Sequence, residues 1–186
     1  MNNIKLMAVD LAKNVFQVCA LDDRYLILNA GQTVLDLQTG LEWMRCIVGQ
    51  VWNGSTCEMT EARQPMFEGQ DDAMGIFMSW QNSLLYIENL NVAGFASNND
   101  WRMSNLKEAI SIQEYSCYTP AINNTVFPNT PSYDVWSSTT NPNSSRTALG
   151  AGAGFGIGIS SKADTIVGPH TRIVRTYPDT SIVYQP

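Results

Sequence analysis

The side chains able to do covalent or metal chemistry are few and scattered. The chain has one histidine, His170, and four cysteines, Cys19, Cys46, Cys57 and Cys117. A nucleophile needs a base within hydrogen-bond reach, and no motif supplies His170 with a serine or cysteine partner. Standing beside Pro169, it reads as a surface or strand-edge residue. Cys117 becomes a nucleophile only if a neighbour lowers its pKa, and nothing in the sequence does so. With no CxxC pair and one imidazole, a structural zinc site is not expected. Calcium wants roughly six to eight oxygens, and acidic residues cluster only at Asp71-Asp72. The run GAGAGFG has phosphate-loop-like spacing, but no helix opens after it and no Lys-Ser/Thr closes it. The expectation is a non-enzyme with no metal and no cofactor.

Residues suited to recognition lie elsewhere. Sugars are held by planar amides, hydroxyls and stacking aromatics. Asn141, Asn143, Ser144 and Arg146, within one loop, offer the first two and are the candidate ligand contacts. Asp100-Trp101-Arg102 is the sharpest local motif. As a site, it would present Asp100 and Arg102 to a polar ligand. As structure, Trp101 fills the core between two helices while the charges pair or satisfy loop backbone, and this second reading is preferred. Trp136, followed by Ser137 and Ser138, is read the same way, as are Trp43 and Trp80. Cys46 and Cys57 bracket the turn-rich IVGQVWNGST. In an oxidising compartment they would close a disulfide worth about 3 kcal/mol; in a reducing one they remain thiols.

The elements that must hold these residues can be read from periodicity. Charged residues make up 15% of the 186, apolar residues 44%, and the net charge is −6. That suits one loop-rich globular domain and disfavours nucleic-acid binding. No apolar run approaches the roughly 20 residues that span a bilayer, so no membrane insertion is expected. Residues 4–9 and 15–21 are apolar and read as a β-hairpin around Asp10 to Asn14. They do not read as a signal peptide, because Asp10 and Lys13 interrupt any apolar stretch. Val34, Leu35, Leu37, Leu41 and Trp43, broken by Asn29-Ala30-Gly31 and Gln38-Thr39-Gly40, read as a β-meander. Asp36 and Thr39 are placed to hydrogen-bond its turn.

From Met74 to Val92, Phe77, Trp80, Leu84, Ile87 and Leu90 recur at helical spacing, with Ser79 as the candidate N-cap and Gly94 as the stop. Ser104 is the candidate cap of a second helix carrying Leu106, Ala109 and Ile110. A long polar loop follows from Asn123 to Ser145, with Val135-Trp136 as a short strand inside it. Ala148 to Ser161 is Gly-rich and alternating and reads as a strand pair or a strand with bulges. The last strand is Thr171 to Tyr177, with Ile173 and Arg172 divided between core and solvent.

Several segments now fall into a pattern. TVLDLQTGLEWMRC, CIVGQVWNGSTC, NLNVAGF, DWRMSNLKEAISI, PAINNTVFPNTPS, VWSST and RIVR, in this order, resemble the Lcl C-terminal domain family from Arg24 to Tyr177. The resemblance implies an α+β, C-type-lectin-like fold: two helices packed on small antiparallel sheets with long structured loops. It implies a binding or adhesion module for a glycan or protein surface, in a bacterial protein that is periplasmic, secreted or surface-displayed. A homo-oligomeric assembly protein is the alternative. The family's association with sulfated polysaccharides does not carry over, since a domain at −6 repels a polyanion. The chain departs from the pattern at Met103-Ser104, at Ala109, and above all in the Gly-rich GAGAGFGIGIS, where the family is richer in aromatics.

Residues 1–22 stand apart. AVDLAKNVFQVCALD resembles the opening of transposases with a RuvC-like domain, which would make Asp10 a metal-binding carboxylate. One Asp cannot build a two-metal site. The segment therefore reads as a borrowed start, fused by a mobile element, with a remnant nucleic-acid enzyme as a remote alternative. The expected organisation is an extension over 1–22, the domain over 24–177 and a tail over 178–186.

Overall fold

The computed structural model describes residues 5–6, 20–21, 23–59, 78–117, 120–152, 157–163 and 169–179. In chain order the elements are β1 (Lys5–Leu6), β2 (Ala20–Leu21), β3 (Tyr25–Leu28), β4 (Thr33–Asp36), β5 (Leu41–Met44), β6 (Gln50–Trp52), β7 (Cys57–Met59), α1 (Trp80–Ala93), β8 (Arg102–Met103), α2 (Leu106–Ser111), β9 (Val135–Thr140), β10 (Thr147–Ala151), β11 (Ile157–Ser161) and β12 (Ile173–Thr176). The main sheet runs β3-β4-β5-β12-β8, a second runs β11-β10-β9, and β6-β7 and β1-β2 form separate pairs. All these pairings are antiparallel. Two helices, several small antiparallel sheets and a disulfide make an α+β architecture consistent with the C-type-lectin-like fold that the sequence implies.

The strand β12 overturns one expectation. It lies between β5 and β8, pairing Val174 with both Trp43 and Arg102. Ile173 packs with Met44, Trp101, Met103 and Trp136 in one core, while Val174 packs with Val34, Trp43 and Phe127 in another. Adjacent strand residues point to opposite faces, so both faces are covered. Arg172 and Ile173 are therefore both buried, not divided between core and solvent. Arg172 donates to the carbonyls of Met44 (2.9 Å) and Arg45 and to Thr130 Oγ1 (2.8 Å). Arg175 bridges Glu42 at 2.7 Å and Asp100 at 2.6 Å.

The strands β3, β4 and β5 form the expected meander. Its turn is held by Asp36, which accepts from Gln38 N at 3.0 Å and Thr39 Oγ1 at 2.8 Å. Arg24 grips the same carboxylate with two bonds, at 2.9 and 2.7 Å. The helix α1 also starts and stops as the sequence indicates. Ser79 Oγ accepts from Asn82 N at 3.2 Å, and Gly94 ends the helix at φ 70°, where glycine carries no Cβ penalty.

The N-cap of α2 is Asn105, not Ser104. The Asn105 side chain accepts from Glu108 N at 3.0 Å, and Glu108 accepts from Asn105 N at 2.8 Å, a reciprocal capping box. Ser104 is buried instead, its carbonyl accepting from Ser138 N at 2.8 Å.

Glycine is needed at one point of β10. A Cβ on Gly150 would stand 2.6 Å from the Val135 carbonyl oxygen. Cys46, just after β5, is bonded to Cys57 at the start of β7, with 5.4 Å between Cα atoms. The bond ties the β6-β7 hairpin to the main sheet. Among the described residues of 1–22, β1 and β2 pair with each other in a separate two-stranded sheet. Asp10, Asp71, Asp72 and Met74 to Phe77 lie outside the described residues.

Candidate binding surface

The loop singled out for recognition is the turn between β9 and β10, and half of it is occupied in holding its own shape. Asn141 Oδ1 accepts from Asn143 N at 3.0 Å, and Ser144 Oγ accepts from Arg146 N at 3.3 Å. Backbone bonds from Asn141 N to Thr147 O (3.1 Å) and from Thr147 N to Ser144 O (3.2 Å) close the turn. Asn141 and Ser144 thus act inward, as turn-forming acceptors. Asn143 and Arg146 are the exposed members.

A neighbour missing from the sequence reading completes this corner. Lys162, after β11, donates its backbone N–H to Arg146 O at 2.9 Å, and its own carbonyl accepts from Trp80 N at 3.1 Å. The Lys162 ammonium donates to Thr140 Oγ1 at 3.0 Å and sits 4.4 Å from the Trp80 ring centroid. That spacing is within cation–π reach. The fold therefore joins an exposed amide, two cations, a hydroxyl and a half-buried indole. Lys162 was invisible as a partner because only hairpin register brings it to Arg146.

The four tryptophans named from sequence divide by burial. Trp43, Trp101 and Trp136 are buried, and Trp80 is partly exposed. Trp136 Nε1 donates to Met78 O at 3.0 Å, Trp101 Nε1 to Phe95 O at 2.9 Å, and Trp80 Nε1 to Ser137 O at 2.9 Å. Asp100 and Arg102 do not pair with each other. Asp100 takes Arg175, while Arg102 forks onto Glu108 with two bonds of 2.7 Å. A shallow groove between α1 and β8 runs past Glu88, Asn91 and Arg102. Asn91 there is already bonded to both backbone groups of Trp101, at 2.8 and 2.9 Å.

His170 is not at the surface. It is 1% exposed, with Tyr133 edge-on at 5.4 Å between ring centroids. Its backbone extends the β9 pairing: His170 N donates to Asp134 O at 2.8 Å, and Trp136 N to His170 O at 2.7 Å. Burial, aided by the charge of Arg172, pulls its pKa down to about 4, so the imidazole is neutral at pH 7. Cys46, Cys57 and Cys117 are all disulfide-bonded, which removes Cys117 as a nucleophile. No cluster of three His, Cys, Asp or Glu side chains able to hold a metal occurs among the described residues.

The model of the Lcl C-terminal domain matches residues 32–175 of this chain. The chain belongs to that family. No curated protein and no solved structure matches it. In this Lcl C-terminal domain the matched span runs from the residue before β4 to within β12. It includes both helices, the Cys46–Cys57 bond and the β9–β10 corner. The pair β1-β2 and the edge strand β3 precede it.

Proposed function

We propose that this Lcl C-terminal domain is a non-catalytic binding or adhesion module that recognises a glycan or protein surface. The carrying observation is the corner at Asn143, Arg146, Thr140, Lys162 and Trp80, presented on a turn locked by its own side chains. A turn fixed in advance loses little entropy when a ligand arrives. Family membership supports a binding role more coarsely. The buried imidazole and the bonded cysteines are poor material for a nucleophile and base. The disulfides suit an oxidising compartment.

A glycan array and a proteome pull-down, each run with wild type and with Asn143→Ala/Arg146→Ala, test this. A ligand retained by wild type should weaken about tenfold or more in the double variant, as for interface residues worth ~1.4 kcal/mol. Equal retention would move the site elsewhere, and no ligand in either assay would remove the binding role.

A second reading, homo-oligomeric assembly, has its own observation. Ile157 and Ile159 on β11, an edge strand of the second sheet, are 57% and 63% exposed, and Leu26 and Ile27 are exposed on β3, an edge strand of the main sheet. Apolar, unpaired edges are templates for strand addition. Sedimentation of wild type against Ile159→Lys decides it: a drop in mass supports assembly, and monomers in both reject it.

A further inference from the structure

Asn53, Asn105, Asn123 and Asn141 each turn the side-chain oxygen back onto backbone N–H groups, and the surroundings of Asn53 favour a reaction there. Asn53 Oδ1 accepts from Ser55 N and Thr56 N, both at 2.8 Å. Asn123 Oδ1 accepts from Thr125 N at 3.0 Å and Val126 N at 3.3 Å. Asn141 Oδ1 accepts from Asn143 N at 3.0 Å, and Asn105 Oδ1 from Glu108 N at 3.0 Å. In any asparagine the next main-chain nitrogen can close a five-membered ring onto the side-chain carbonyl carbon. Chain connectivity supplies that nearness, as in other intramolecular reactions.

The residue that follows separates the four. Asn141 precedes Pro142, whose nitrogen carries no hydrogen to lose. Asn105 precedes Leu106, whose N–H already donates to Thr139 Oγ1 at 3.0 Å. Asn123 is 1% exposed and precedes Asn124, which brings a side chain beside the attacking nitrogen. Asn53 precedes Gly54, the one Asn-Gly pair in the chain. Both are exposed, in the turn that joins β6 to β7. Gly54 N–H has no hydrogen-bond partner among the described residues. Gly54 stands at φ 99°, and a Cβ there would meet nothing within 4 Å, so that side of the turn is open.

The two donors on Asn53 Oδ1 supply what such a reaction needs. When a nucleophile adds to a carbonyl carbon, negative charge gathers on the oxygen, and fixed backbone N–H groups at roughly 3 Å stabilise it. We propose that Asn53 is a self-modification site, converted to aspartate and its β-linked isomer. Gly54 N gives its proton to solvent base and bonds to Asn53 Cγ. The bond from Cγ to Nδ2 breaks, and that nitrogen leaves as ammonia, closing a cyclic imide. Water then opens the imide at either carbonyl. Water is the one co-reactant, and no electrons are exchanged. The product carries a new negative charge at the hairpin tip. In the β-linked form the main chain gains a carbon and the turn loses its side-chain acceptor. No residue of the β9–β10 corner takes part, so this site is independent of the proposed binding role.

The test holds the folded full chain at pH 8 for days, beside the synthetic peptide VWNGST under the same conditions. Samples are digested in acid, where the reaction is slow, and read by mass spectrometry with electron-transfer fragmentation, which separates the two isomers. Asn53 should turn from amide to acid, with both isomers present, at least as fast as in the peptide and faster at higher pH. Asn123 and Asn141 should remain amides. Asn53→Ser, which keeps an oxygen acceptor at the tip but has no amide, should show no acid in this segment. The proposal is overturned if the folded chain converts more slowly than the peptide, meaning that the turn protects Asn53. It is equally overturned if Asn123 or Asn141 converts as fast as Asn53, or if the Asn53→Ser segment still gains acid, which would assign the change to Gln50.

Discussion

His170 sets how this domain responds to acid. Unfolded, an imidazole takes its proton near pH 6.5; folded, burial and then the charge of Arg172 hold this one near about 4. The folded form therefore resists a proton that the unfolded form accepts. Stability is full above about pH 6.5 and falls as the pH drops toward about 4, by at most on the order of 3 kcal/mol. Urea midpoints measured from pH 7.5 to 4.5 should decline in wild type and decline less in His170→Gln. Parallel curves would show that the imidazole is not held neutral. Glu108 adds to the loss at lower pH: burial opposes its charge, but Arg102 and the Asn105 N–H outweigh burial and hold its carboxyl below the usual value. The sequence offered His170 only as a lone residue beside a proline. Its burial comes from Tyr133 and from the bridge to Val135, neither of which spacing reveals.

The helix starts show which local signals are decisive. Ser104 and Asn105 are both cap-forming types, but only Asn105 has a Glu three residues on, at Glu108. That pattern was legible and points to Asn105. Asn105→Ala should cost about 1 kcal/mol in chemical denaturation. Ser104→Ala should be neutral or stabilising, because the Ser104 Oγ is buried and finds no hydrogen-bond partner among the described residues. A Ser104→Ala variant as damaged as Asn105→Ala would contradict the assignment. The bond between β5 and β7 belongs to this scale as well. Cys46→Ala/Cys57→Ala should lose about 3 kcal/mol, read as a lower urea midpoint; an unchanged midpoint would mean that the hairpin holds without the bond. The meander, α1 and the Gly-rich hairpin were legible because each is patterned within one segment. The burial of β12 was not, because its neighbours β5 and β8 come from distant parts of the chain.

For the molecule as a whole, charge and fold speak to the ligand together. The net charge is −6, yet register gathers Arg146 and Lys162 at one corner. Two cations on an acidic body steer only weakly. A neutral glycan or protein ligand should bind with no more than about a threefold change between low and physiological salt. A much steeper fall would identify a polyanion. The turn residues Asn141 to Arg146 could be found from composition, but their division into two inward and two outward side chains could not.

The position of β12 also fixes an order of events. It is the strand that joins β5 to β8, yet it follows every other described element in sequence. A polypeptide made from its N-terminus can form its meander and its helices early, but the main sheet has a missing rung until residues 173–176 emerge. Until then Trp43 and Met103 lack the strand that lies between theirs. The domain is thus latched by the last of its described strands, and until that strand emerges the nascent domain remains threadable, not yet knit.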